Sequence, residues 1–250
     1  MHFTFAALIP LMVTASPRPL SAFGPGEQLT FKVHYLGLTA GTTQITIGST
    51  IQMGDELIWP IVMLAKTQSL VALFPVKDKF VSYWDPLHQK SVGSELWAEE
   101  NHKRRHQKIR IDSSKLSAHI TTQKESESLE QSEVPIEPGA MDIAAATFAL
   151  RNKPLKPGES FTQTVFTGRK SFLMTTRIEE ETTILTPLGP KSVLKARAST
   201  SFSGSFRSDR DLRIYFSTDA SHVPVRIEAD FVLGSIVGEL TDYKAGQKGP

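Results

Sequence analysis

Two hundred and fifty residues carry 28 Lys and Arg against 26 Asp and Glu, and no cysteine. A formal charge of +2 gives no basis for a nucleic-acid or anionic-membrane partner, and the missing thiol excludes disulfides, thiolate nucleophiles, cysteine-ligated metals and a lipid-modified N-terminal cysteine. At 40% hydrophobic and 22% charged residues the composition is that of a globular chain with a core, long enough for one large all-β unit or two small ones.

Residues 3–13 form an apolar run of signal-peptide length, too short to span a bilayer. Thr14-Ala15-Ser16 and Ser21-Ala22 supply small residues for cleavage, and Pro17-Arg18-Pro19 would break a continuing element. The segment before the run holds only Met1 and His2, without Lys or Arg. The alternative is an N-terminal core strand or helix. We read 1–22 as a secretory signal, cut between Ala15 and Phe23, and the mature chain as periplasmic. No later stretch reaches the ~18 apolar residues of a membrane helix.

Leu29, Phe31, Val33 and Tyr35 alternate with Thr30, Lys32 and His34, the period of a half-buried strand. Gly37 to Gly41 punctuates, and Ile45 and Ile47 continue the pattern as a hairpin or bulged pair. The apolar run 57–64 predicts a strand covered on both sides. Residues 67–74 suggest a short helix stopped at Pro75. Strand character resumes over 77–84, and three antiparallel strands are predicted at 91–98, 104–111 and 115–122. The serine- and glutamate-rich stretch 124–133 reads as a surface loop. The one clear helix is predicted over 141–151. Its alanines favour helix, Asp142 falls in the first turn, Arg151 lies near the end, and Pro154 stops it. Beyond it, period two returns in 194–206, in Leu212, Ile214 and Phe216, and in Val223, Val225, Ile227, Ala229 and Phe231. The expected turns are Ser208-Asp209-Arg210 and the stretch from Thr218 to His222. The fold expected is mainly β: a single antiparallel β-barrel, half-barrel or strongly curved sheet with one main helix, spanning 23–243 as one domain, with 244–250 a frayed tail.

Gly26-Glu27, Leu29, Phe31, Val33, Tyr35 and Gly37-Leu38, then Ala40-Gly41, resemble the opening of an exported bacterial family known as domain of unknown function 3108. Later stations are similar in order. They are Asp78, Ser82 and Asp85; Asp142, Leu150-Arg151 and Gly158-Glu159; Thr186-Pro187-Leu188-Gly189; Phe216-Ser217-Thr218-Asp219; the stretch from Pro224 to Glu228; and Gly234-Ser235. Phe216 stands where the family commonly has tryptophan. The resemblance implies an envelope location and a β-rich fold, and supplies no catalytic residues.

Several constellations invite a chemical reading. His102 and His106 are spaced for a metal on a helix, but the stretch alternates as turn plus strand, and Lys103, Arg104 and Arg105 between them repel a cation. A solvated hairpin tip is the default there; an anion-contacting patch for lipid headgroups or acidic glycans is the functional alternative. Glu179-Glu180-Glu181, with Glu99 and Glu100, offers carboxylates for glycoside hydrolysis, although a charged strand edge explains them equally well. Asp78, Asp85, Asp142, Asp219 and Asp242 are read chiefly as turn and cap residues. No nucleophile elbow, zinc-protease helix, Walker loop or complete dinucleotide fingerprint is present.

No catalytic residue, metal ligand or cofactor is therefore assigned, and the ligand-binding residues are not identified. Phe31, Tyr35, Trp59, Phe74, Phe80, Trp84, Trp97, Phe202, Phe206, Phe216 and Phe231 fall on or beside strands. Most are core, and a curved sheet of this size has room for one small apolar ligand. The function expected is a non-catalytic envelope protein that binds or chaperones a hydrophobic ligand such as a lipid. The alternatives are an assembly or adaptor protein with an envelope partner, then a hydrolase.

Overall fold

The computed structural model describes residues 21–67, 75–100, 103–125, 127–201, 212–231 and 234–247. Its strands are β1 (Gln28–Tyr35), β2 (Leu38–Ile47), β3 (Ile51–Met53), β4 (Glu56–Thr67), β5 (Lys77–Asp85), β6 (Lys90–Glu100), β7 (Lys103–Asp112), β8 (Ser117–Lys124) and β9 (Glu130–Pro135). After the helix α1 (Ile143–Arg151) follow β10 (Ser160–Phe166), β11 (Ser171–Thr186), β12 (Gly189–Ser201), β13 (Leu212–Ser217), β14 (Pro224–Phe231) and β15 (Gly234–Lys244). Every named strand pairing is antiparallel. The order across the sheet is β10-β11-β12-β13-β14-β15-β1-β2-β4-β5-β6-β7-β8-β9, with β3 paired to β4 alone. Each strand follows its sequence neighbour except at two places: β4 follows β2, since β3 stands off the path, and β1 joins β15, which brings the first and last strands side by side.

The sheet curls until its ends approach. Met141 bridges to Val165 of β10, while its neighbour Asp142 bonds Ser82 of β5 and Ser91 of β6. Nine interstrand steps separate β10 from β5 in the sheet order, about 43 Å if the sheet were flat at ~4.8 Å per step. Two adjacent residues can touch both only if the sheet wraps round them. The ends β9 and β10 do not pair with each other, so the wrap is a curved sheet left open, not a closed barrel.

The helix fills the gap. Ala144, Ala145, Ala146, Phe148, Ala149, Leu150 and Arg151 are all buried. The small alanines let it approach the sheet closely, so its propensity and its packing role coincide. It begins at Ile143, because Asp142 has extended backbone and caps the helix by accepting from the Ala145 N–H at 2.9 Å. Phe148, Ala145 and Ala149 join Phe23, Leu29, Ile47, Trp59, Ile61 and Trp84 in the largest core cluster.

The structure amends the strand reading in two places. The stretch 124–133 is only partly loop, since Glu130–Pro135 pairs with β8 as an edge strand. Its side chains are almost all exposed, and an edge strand with both faces wet leaves no apolar period to read. In β4, Ile58, Trp59 and Ile61 are buried but Leu57 is 57% and Leu64 45% exposed, so the strand is not covered along its length. The predicted short helix at 67–74 lies outside the described residues beyond Thr67, which ends β4. Residues 202–211, with the end of the predicted strand and its turn, also lie outside them.

Candidate functional site

Both ends of α1 are pinned by buried charge. At its C-terminal end the Arg151 guanidinium, 1% exposed, donates to both carboxylate oxygens of Glu27 at 2.8 and 2.7 Å. It also donates to the carbonyls of Ser221 at 3.0 Å and Ala22 at 3.4 Å. It lies 5.2 Å from the Phe23 ring centroid and 5.0 Å from that of Phe148. The Tyr243 hydroxyl donates to Glu27 at 3.1 Å, and burial, with Glu27 beside it, pushes that phenol up to about 12. At the other end Asp142 accepts from the hydroxyls of Ser82 at 2.6 Å and Ser91 at 2.8 Å. Burial pushes its carboxyl above the ordinary aspartate value, against the pull of those hydroxyls and the Ala145 N–H. Helix, amino-terminal segment and the turn before β14 are thus held as one plug at this end of the wrap.

One pleat beyond the plug the inner face changes character. The row Ile61, Ser82, Ser94, Ile109 and Ile120 beside the helix is buried. The next inner row runs Ile45, Met63, Phe80 and Leu96 across β2, β4, β5 and β6. On the far side of the wrap the corresponding row is Tyr35, Ile236, Ala229, Leu212 and Ala198. Met63, Phe80, Leu96, Ala229 and Leu212 are only half-buried, and Ile236 is 37% exposed. Cross-strand partners share a face; these two rows therefore make an apolar inner lining that α1 covers only in part, for Ile45 and Ala198 are buried and Ala198 shares a core cluster with Ala146 of the helix. A groove of about 670 Å³ opens at the same end of the sheet, between the β4–β5 and β7–β8 strand ends.

The residues singled out in the sequence are mostly scattered. His102 lies outside the described residues. His106 stacks on Trp97 with ring centroids 4.9 Å apart, and its Nε2 lies 2.8 Å from Glu95. Glu95 also accepts from the Tyr83 hydroxyl at 2.9 Å. Burial and that carboxylate push the Tyr83 phenol up to about 12, while Glu95, favoured by both partners against the burial cost, is held below its ordinary value. Glu179 pairs with Lys195 at 3.1 Å and Arg197 at 2.7 Å, Glu180 with Lys195 at 3.3 Å, and Glu99 with Arg104 at 3.7 Å. These are cross-strand ladders on the sheet surface, not carboxylates facing across a cleft.

Asp85 bonds the N–H groups of Leu87 and His88, Asp219 that of Ser221, and Asp78 that of Glu99. With Asp142 as a cap, three of the five aspartates serve local backbone, while Asp78 serves an N–H 21 residues away on the neighbouring strand. Among the described residues no three His, Asp or Glu side chains gather as a metal site.

Residues 30–241 match the model of the family described as "Protein of unknown function (DUF3108)". The chain belongs to this family. The DUF3108 match runs from β1 into β15 and so takes in the whole wrap with its helix. A crystal structure of a β-barrel-like protein of domain of unknown function DUF1849 from Brucella abortus is similar, with a TM-score of 0.61 at 6% identity, over 90% of this chain and 99% of that one. That likeness is one of fold. A protein with a YmcC-like fold from Bacteroides fragilis reaches a TM-score of 0.33 at 11% identity, over 90% of this chain and 98% of that one. No curated protein matches the chain.

The Glu27–Arg151 pair and the Tyr83–Glu95–His106 set escaped the sequence reading. Glu27 and Arg151 are 124 residues apart, and only their place among the DUF3108 stations marked them. Tyr83, Glu95 and His106 had one local signal, their common phase on adjacent strands, which needs the register to be seen.

Proposed function

We propose that this DUF3108 protein is an exported, non-catalytic envelope protein that carries or chaperones a hydrophobic ligand such as a lipid. One observation carries the reading: the inner rows Met63–Phe80–Leu96 and Leu212–Ala229–Ile236 are apolar, lie within the wrap, and are left half-covered by the helix. Burying that lining against an alkyl chain is worth about 25 cal/mol per Å² before the costs of association. The buried polar groups suit scaffolding, since Asp142 and Arg151 spend their hydrogen bonds on serines, backbone and Glu27.

Export rests on the apolar run at 3–13 and the small residues after it. Ala22 is buried and its carbonyl serves Arg151, while Asn152 accepts from the Ser21 hydroxyl and the Ala22 N–H. Those contacts favour a cut upstream of Ser21, within the interval 15–23; a periplasmic mature chain is the reading that the export signal supports.

Native mass spectrometry of the purified exported protein, followed by organic extraction, tests the carrier reading. A stoichiometric lipid adduct is expected. A bare mass with no extractable lipid, together with failure to take up added lipid, would defeat it. The adaptor reading would then lead, on the observation that β9 presents an exposed, unpaired edge to which a partner strand could add.

A further inference from the structure

A net charge of +2 conceals where the charges stand. The strand registers gather the β1–β2 turn, the end of β4, the start of β5, the β10–β11 turn and the β14–β15 turn at one end of the sheet. The Glu27–Arg151 lock holds the other end, since Glu27 precedes β1 and Tyr35 closes it. The half-covered inner rows stop short of these turns, so this end is the mouth of the wrap.

Cations crowd the rim of the mouth. Lys66 stands directly opposite Lys77 across β4 and β5, and Arg105 directly opposite Lys124 across β7 and β8. Directly opposed like charges work against an antiparallel pair. By strand alternation the first pair is on the outer face and the second on the inner face, so they flank the rim from both sides and share no pocket. Arg169, in the β10–β11 turn, lies near enough to Lys124 to repel its charge. Among the described residues no carboxylate lies within ion-pair distance of Lys66, Lys77 or Arg169.

The β1–β2 turn is irregular in another way. Tyr35 pairs with Leu38, so Leu36 and Gly37 form a two-residue turn, with φ of +50° and +78°. A turn with both central residues at positive φ favours Asn-Gly; a leucine there crowds its own backbone. Leu36 is nevertheless 65% exposed and Leu38 62%. The Leu36 side chain leans over Gly234, where a Cβ would collide with it, so the β1–β2 and β14–β15 turns form one stretch of rim. An apolar residue held exposed in a conformation that it disfavours points to a use outside the fold.

We propose that the mouth docks on an anionic bilayer, with the Leu36–Leu38 tip entering the head-group layer and the rim cations facing lipid phosphates. This rests on the carrier reading above, for a lipid bound for the inner rows would enter from the surface on which the mouth sits. Charge complementarity selects the occupant. Interfacial binding grows with buried apolar area and with attraction to anionic lipid, and cations on both faces of a rim match an extended anionic plane.

Co-flotation of the mature exported protein with vesicles tests the docking. One set is phosphatidylcholine alone; the other mixes it in equal parts with phosphatidylglycerol. Binding to the mixed vesicles is expected to be at least tenfold tighter, and to weaken in added salt. Lys66→Gln/Lys77→Gln should narrow the gap at least threefold. Leu36→Asn should weaken binding to mixed vesicles at least threefold, while its urea midpoint stays at or above that of wild type, because asparagine accepts the turn. Leu185, 75% exposed in the opposite half of the sheet near the β11–β12 turn, supplies the control; Leu185→Asn should leave vesicle affinity unchanged. Equal binding to the two vesicle sets, binding to neither, unchanged affinity in Leu36→Asn, or an equal loss in Leu185→Asn each overturns the docking. A lipid adduct recovered from a protein that floats with neither vesicle overturns the docking alone and leaves the carrier reading standing.

Discussion

Arg151 sits where an unpaired charge would be most costly, between two aromatic rings with both arms of its fork on Glu27. Desolvation makes such a pair weak evidence of net stability, but removing one partner strands the other. Arg151→Met is therefore expected to lower the unfolding free energy by about 3–5 kcal/mol in urea denaturation, and adding Glu27→Leu should restore part of the loss. A single mutant within 1 kcal/mol of wild type, by the same scale, would show that Glu27 finds other compensation. Asp142 gives a prediction in pH. Burial raises its folded-state pKa above the ordinary 3.8, so the folded state keeps a proton that the unfolded chain has already lost. The stabilisation from that proton is present below 3.8 and is lost as pH rises through the folded value. Asp142→Asn keeps a neutral cap at all pH. The stability of wild type relative to Asp142→Asn should thus fall as pH rises from about 3.5. A rising difference in urea midpoints would mean that the folded state prefers the carboxylate. Taking the difference cancels Glu95, Asp219 and Asp230, whose lowered pKa values act in the opposite sense.

At the scale of elements, what the sequence disclosed depended on where each strand lies. β1, β13 and β14 have one face on the core, so their apolar residues alternate and the period reads directly. β9 is an edge with water on both sides, and its glutamates and serine carry no period, so its first four residues passed for loop. The helix was legible through its alanines and Pro154, yet its first residue depended on whether Asp142 was inside or capping, which only backbone geometry decides. Gly93 is a quieter case. Its φ is +150°, and a Cβ there would collide with the Ile109 carbonyl of β7. That glycine lets β6 and β7 close up beside the register shift at Tyr83 and Trp84, and no turn motif in the sequence announced it. The inner lining was legible as an inventory of apolar residues but not as a site. Whether Phe80 and Leu96 are covered depends on where a helix 47 residues beyond Leu96 comes to rest.

For the molecule as a whole we propose one domain over 23–243. A Glu-specific protease is expected to cut first at 125–129, between β8 and β9, and the nicked halves should elute together in size exclusion. β1 of one half pairs with β15 of the other, and β8 with β9. Two separately eluting folded fragments would reveal a boundary we have missed. The same β1–β15 seam bears on the order in which the fold can be made. Tyr243 and Glu27, which it brings into contact, are 216 residues apart. β1 is synthesised first of the strands, yet one of its ladders has no partner until the last strand has emerged. Contacts this distant in sequence make for slow folding, because a long loop must close before they reward it. Until then the chain shows an unpaired strand edge with Leu29, Phe31 and Val33 along it, the kind of edge that invites pairing with another chain. Export as proposed above, amino terminus first, would bring the chain to that hazard on arrival and leave its final shape to the residues that cross last.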